Sequence, residues 1–283
     1  MFFDLLKTDQ FIKGILKKNK GAVICTCFLI IVILMGILAP IIAPNDPNES
    51  IFENKGLGMS LHYPMGTDNL GRCIFSRCIY GIRTSLGISI IISVVGILIG
   101  TCIGVFSGYC GGIVDNIIMR ICDALLAFPD LILVLIIVGM LGIGTTNIII
   151  AMLLVHWIWY ARVSRSMTMS LKKRSFIQAA KISGSSDLKI IVRHIMPNIL
   201  SQLIVLFTID MGGVILSLAG YSFLGIGVQP PTAEWGVMIN EGRTVIRQNI
   251  MAMLWPSIMI VTVVFSLNVV GECLRSQLDD PIQ

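Results

Sequence analysis

Apolar runs of membrane length alternate with polar stretches along the chain, and the alternation predicts six spans, at about 21–43, 85–106, 117–141, 147–161, 199–219 and 250–270. The first run follows Lys7, Lys13, Lys17, Lys18 and Lys20. It exceeds the ~7–15 residues of a signal-peptide core and lacks a cleavage site, so it is expected to remain as an anchor. Residues 44–70 mix Pro, Asn, Asp and Gly with little periodicity, the pattern of a loop outside the bilayer. Between 70 and 85, Ile74, Cys78, Ile79 and Ile82 recur at helical spacing with Arg72, Arg77 and Arg83 elsewhere, which predicts a separate interfacial helix.

Inside the spans a few residues break the apolar pattern. Gly87, Gly96, Gly100 and Gly104 mark sites where another helix could approach the second span closely. Asp123, Pro129 and Asp130 fall in the third run and Asp210 in the fifth. A carboxylate near mid-bilayer costs ~2.5–3.5 kcal/mol on insertion scales, so these acids are expected to face protein or a wet cavity. They could line a path for a cationic cargo, or pair with donors buried in the bundle. Pro129 predicts a kink or local break. The fourth run ends in HWIWYAR, an aromatic belt followed by Arg162 and Arg165. His156 beside that belt has the ring nitrogens of a metal ligand, but a packed interfacial histidine is the commoner case. After the fifth run, Pro230 and Pro231 forbid a continuous helix and predict an external re-entrant or interfacial segment.

The long polar interruption at 174–198 has its own design. Good helix formers from about Lys172 to Ser183 lead to Gly184, where a helix end favours a residue tolerant of positive φ. Ser185 or Ser186 can cap a second short helix with Asp187 in its first turn, and Pro197 closes the segment. Arg165, Lys172, Lys173, Arg174, Lys181, Lys189 and Arg193 put this loop on the cytoplasmic side by the positive-inside rule. On this topology six of the 21 Lys and Arg residues lie outside (Lys55, Arg72, Arg77, Arg83, Arg243 and Arg247), which supports cytoplasmic N- and C-termini. The expected architecture is an all-α polytopic membrane protein. Residues 1–84 form an N-terminal cytosolic segment, first helix and external loop, and residues 85–283 a core of five spans and the cytoplasmic loop.

Composition agrees: of 283 residues, 55% are hydrophobic and 13% charged, half the charged share of a soluble domain. The net charge of +5 resides mainly in short loops beside the spans, where it sets orientation, so nucleic acid is not an expected partner. Several of the eight cysteines lie in or beside apolar runs and act as small hydrophobes. Only Cys73 and Cys78 form a pair in a predicted external loop, without the spacing or histidines of a metal site. No GxxxxGK[ST] occurs, so any nucleotide energy must come from a partner.

The loop resembles the cytoplasmic signature of transmembrane permease subunits of ABC importers, E-A-A, three residues, Gly, nine residues, I-x-L-P. Here it reads Gln178, Ala179, Ala180, then Gly184, then His194, Ile195, Met196, Pro197. Gln178, His194 and Met196 depart from the pattern. MGTDNLGRCIFSR resembles G-T-D-x-L-G-R-D-x-x-S-R of the peptide and nickel branch, with Cys73 for its Asp, and SFLGIGVQPPTAEWGVMIN and the tail LRSQLDDP are similar to that branch as well.

The resemblance implies the type I importer architecture of six spans, with residues 172–197 as the helix pair that couples to an ATPase. It implies a homologous second permease, two ATP-binding subunits that hold ATP and magnesium, and an extracytoplasmic substrate-binding protein, in a bacterial plasma membrane. The chain itself would then be no enzyme and carry no cofactor. HWIWYARVSRS, TAEWGVMIN and Asp210 look more like the nickel permeases, whose cargo is nickel or a related metal as a chelate. Di- or oligopeptides are the alternative cargo. A secondary transporter often shows inverted repeats, and a membrane enzyme needs clustered catalytic groups; neither pattern is visible.

Overall fold

The computed structural model describes residues 20–247 and 249–279. The basic segment before Lys20 and the end of the LRSQLDDP tail lie outside the described residues. The fold is all-α: among the described residues there is no strand, only an isolated bridge between Thr67 and Cys73. Among the described residues five helices are long and apolar enough to cross a membrane, and a sharply bent pair brings the total to six if it counts as one span.

The first span, α1 (Lys20–Ile37), packs on the helices Ile74–Cys110 and Met251–Asp279. The next corrects the sequence reading. The stretch expected as an interfacial helix and the second span are one helix, α2 (Ile74–Cys110), 37 residues long. Arg72 and Arg77 are not on a wet face at all: they are 2% and 1% exposed. Arg72 bonds Asp68 (2.7 Å) and Glu241 (2.8 Å), and Arg77 bonds Glu241 (2.9 Å) and the carbonyls of Pro47 and Pro231. The acids that neutralise these two arginines include one more than 160 residues away, so only Arg83 keeps the exposed position a polar helix face predicts.

The glycines of α2 do what their spacing predicts, with one exception and one addition. A Cβ on Gly100 would lie 2.4 Å from the Trp157 carbonyl oxygen, and one on Gly104 2.2 Å from that of Ala161. Gly96 meets His156, and Gly108, absent from the expected set, meets Arg165 and Thr168. Four-residue steps thus zip α2 to α5 (Thr145–Lys172), against main-chain atoms at Gly100, Gly104 and Gly108 and against the His156 side chain at Gly96. Gly87 faces open space.

Between these two helices the third apolar run is broken. Helix α3 (Gly112–Leu126) and α4 (Asp130–Leu141) meet at 89°. Pro129 explains the break, because its ring excludes a continuing helix on its N-terminal side. It also starts α4, with Asp130 in the first turn where the helix dipole favours an acid.

The fifth span is also longer than expected. From α7 (Asp187–Ile190) the chain runs through a π-turn (Ile191–Ile195) into α8 (Met196–Phe223), so Pro197 does not end a separate helix. The wide turn relocates the hydrogen bonds that proline would spoil: the Met196 N–H reaches the Ile191 carbonyl, five residues back. After a non-helical stretch containing Pro230 and Pro231, α9 (Trp235–Arg243) packs on α8 and on the last span, α10 (Met251–Asp279). Glu234 caps α9, accepting the Val237 N–H at 3.0 Å and the Ser85 hydroxyl at 3.0 Å. It is wholly buried, and desolvation pushes its carboxyl above the usual range.

Candidate functional site

Two polar features interrupt the apolar bundle: the loop that joins α5 to α8, and a cleft among α4, α5 and α8.

The loop begins with α6 (Ser175–Ile182) and turns at Gly184, whose φ is +77°. The turn is a Schellman motif. The Gly184 N–H bonds the Lys181 carbonyl (3.1 Å) and the Ser185 N–H bonds the Ala180 carbonyl (3.1 Å). Gly184 occupies the left-handed position this motif requires. Gln178 donates to the Lys172 carbonyl at 2.7 Å and ties α6 to the end of α5. An ionised glutamate there would offer that carbonyl only an acceptor. Ala179 supplies the carbonyl that takes the Ser183 N–H and hydroxyl. Ser186 is at the N-cap of α7 but its side chain makes no capping bond. Asp187 instead accepts the Tyr109 hydroxyl at 2.6 Å.

This loop has an inner and an outer face. Ile177, Ile190 and Ile195 are buried in one apolar cluster with Val105, Tyr109, Ile199 and Leu203. Facing outward are Phe176, Ile182, Leu188 and Val192, between 43% and 88% exposed, among Lys173, Lys181, Lys189 and Arg193. Apolar side chains interleaved with exposed cations, on a rigidly seated element, form a surface suited to a protein partner.

The cleft, about 280 Å³, brings together Asp130 of α4, His156 and Trp159 of α5, and Asp210, Ser217 and Tyr221 of α8, over a floor that includes Val134, Met152 and Val214. Asp210 accepts from His156 Nε2 (2.8 Å) and from the Tyr160 hydroxyl (2.8 Å), both at Oδ2. Among the described residues no Lys or Arg lines the cleft. Asp123 is elsewhere, half exposed and 3.4 Å from Arg162. So Asp130 and Asp210 line one cleft, and Asp123 does not. His156, read from sequence as a packed residue or weak ligand, holds Asp210 in place. Among the described residues no group of three His, Cys, Asp or Glu is placed to hold a metal. Sequence reasoning missed Tyr160 and Tyr221, which look like belt or packing aromatics until α5 and α8 are placed side by side.

A bundle of membrane-length helices with a seated cationic loop and a polar cleft among α4, α5 and α8 defines a polytopic membrane protein. The comparisons name the family. Residues 100–282 match the binding-protein-dependent transport system inner membrane component, and residues 14–61 the N-terminal transmembrane domain of oligopeptide transport permease C. The chain belongs to this family, in its peptide and nickel branch. It is 41% identical to the metal-staphylopine import system permease protein CntC of Staphylococcus aureus, over 94% of this chain and 92% of that one. Identity to the nickel transport system permease protein NikC of Escherichia coli is also 41%, over 83% and 85% of the two chains. The glutathione transport system permease protein GsiD of Shigella flexneri is 42% identical, over 94% and 88%.

Proposed function

We propose that this chain is one of two permease subunits of a bacterial ATP-driven importer for nickel or a related transition metal, carried as a chelate. The observation that carries the transport mechanism is the loop at 172–197: a glycine-jointed helix pair, anchored inside by an apolar cluster and presenting apolar side chains among cations outside. Two ATP-binding subunits, holding ATP and magnesium, press on this surface as they close and hydrolyse ATP. Gln178, Ala179, Ala180, Gly184, Asp187 and Pro197 shape the loop that receives the push. Both termini then face the cytosol, and the end of the bundle with Asp68, Arg72 and Glu241 faces the binding protein that delivers the cargo. The metal cargo rests on the two relatives whose names specify nickel and metal-staphylopine. A peptide cargo is the second reading, favoured by the glutathione relative.

Uptake of radiolabelled nickel and of a labelled dipeptide, by cells with and without the complete importer, tests the cargo. Nickel uptake that depends on the complex is the expected result, and dipeptide uptake alone would transfer the assignment to the second reading. Gly184→Val is the mechanical control. A β-branched residue at φ +77° is strained although no neighbour lies within 4 Å, so uptake is expected to stop while membrane insertion continues.

The cleft is the candidate path. With Asp210→Asn the two donors, His156 and Tyr160, lose their charged acceptor. Uptake should fall about tenfold, the scale of a hydrogen bond to a charged group, with expression little changed. Unchanged uptake would reduce Asp210 to a packing role.

A further inference from the structure

Tyr109 stands where three helix ends meet. It is in the last turn of α2, its ring buried in the cluster with Ile177, Ile190 and Ile195. Its hydroxyl donates to Asp187, the first residue of the long helix Asp187–Phe223. Lys172, the last residue of α5, lies 5.2 Å over its ring and bonds its carbonyl oxygen. Beside it, Asp115 at the start of α3 accepts from Ser107 of α2 and, on both oxygens, from Arg165 of α5.

We propose that the Tyr109 hydroxyl is the joint through which movement of the 172–197 loop enters α2, making Tyr109 a positioning residue for coupled transport. The inference rests on the coupling role assigned above. Asp187 needs no tyrosine to begin a helix, since an acid in the first turn is favoured by the dipole alone. Nor does the tyrosine ring need its hydroxyl to fill the Ile177 cluster. The hydroxyl bond is therefore a directional polar tie between α7 and α2, added to the apolar cluster that Ile190 shares with Val105 and Tyr109. From that joint the route inward is continuous. Helix α2 is zipped to α5 through Gly108, Gly104, Gly100 and Gly96, and Gly96 abuts His156, which bonds Asp210 in the cleft. A displaced Asp187 that stays bonded carries α2 and α5 along; one that has lost its bond moves without them.

The test uses the complete importer, with both permeases, the ATPase subunits and the binding protein, in proteoliposomes. Two quantities are read: ATP hydrolysis with and without binding protein, and radiolabelled nickel taken up, supplied with histidine, per ATP hydrolysed. Tyr109→Phe keeps the ring and removes only the hydroxyl. The expected result is normal assembly, retained basal hydrolysis, lost stimulation by binding protein, and uptake per ATP lowered about tenfold. Asp187→Asn, which keeps an acceptor oxygen, should retain more coupling than Asp187→Ala. Tyr109→Phe combined with Asp187→Ala should be no worse than the poorer single variant, because both remove one bond.

An unchanged ratio in Tyr109→Phe, or losses that add in the double variant, would overturn the assignment. So would a parallel fall in assembly, basal hydrolysis and uptake, which marks a packing role. If Tyr109→Phe does not assemble, the Asn and Ala variants of the exposed Asp187 decide the matter alone. A wild-type importer that takes up no nickel would refute the cargo reading and leave the stimulated-hydrolysis test standing.

Discussion

Gly104→Val should prevent the protein from accumulating as a folded membrane subunit. The new Cβ would sit 2.2 Å from the Ala161 carbonyl oxygen and 2.9 Å from its carbonyl carbon, both main-chain atoms that no rotamer change can move aside. Helices α2 and α5, the most extensively packed pair in the bundle, would have to separate. In lipid, packing of this kind is what holds helices together, so overfilling it is expected to cost about 3 kcal/mol or more. Gly87→Val on the same helix meets nothing within 4 Å and should be close to neutral. Comparing the two variants by membrane abundance and by melting of the detergent-solubilised complex separates packing from mere loss of glycine. Equal behaviour would mean that the zipper is not a determinant of folding.

Arg77→Met is expected to have the second large effect, for an electrostatic reason. Asp68, Arg72, Arg77 and Glu241 form a closed group of two acids and two bases, with the arginines almost wholly buried. Removing one cation leaves an uncompensated negative charge and strands the carbonyls of Pro47 and Pro231. Breaking a buried pair in this way costs about 3–5 kcal/mol. Adding Glu241→Gln restores charge balance and should recover part of the lost melting temperature. If Arg77→Met alone melts like the parent, the network is not holding the 44–73 loop against α9.

What the sequence made legible was what depends on neighbours along the chain. Hydropathy located the spans, Pro129 foretold the break, and Gly184 after a run of helix formers foretold the turn. What stayed hidden depends on partners far away. Arg72 and Arg77 looked like the wet side of an interfacial helix because Glu241, which helps neutralise both, is remote in sequence. That error split α2 into two elements. His156 had no visible purpose until Asp210, 54 residues on, was placed beside it. Pro197 read as a terminator because a π-turn cannot be seen in residue pattern, and that turn lets the helix pass through it unbroken.

The unbroken helix Asp187–Phe223 has a consequence of scale. Its 37 residues measure about 55 Å at 1.5 Å each, against roughly 30 Å of hydrocarbon, so even a tilted helix of this length outreaches the oily slab. Such a rod behaves as an oar in a rowlock. A swing of a few degrees at the blade, where Asp187 sits, is carried stiffly across the lipid to the turn of helix that bears Asp210.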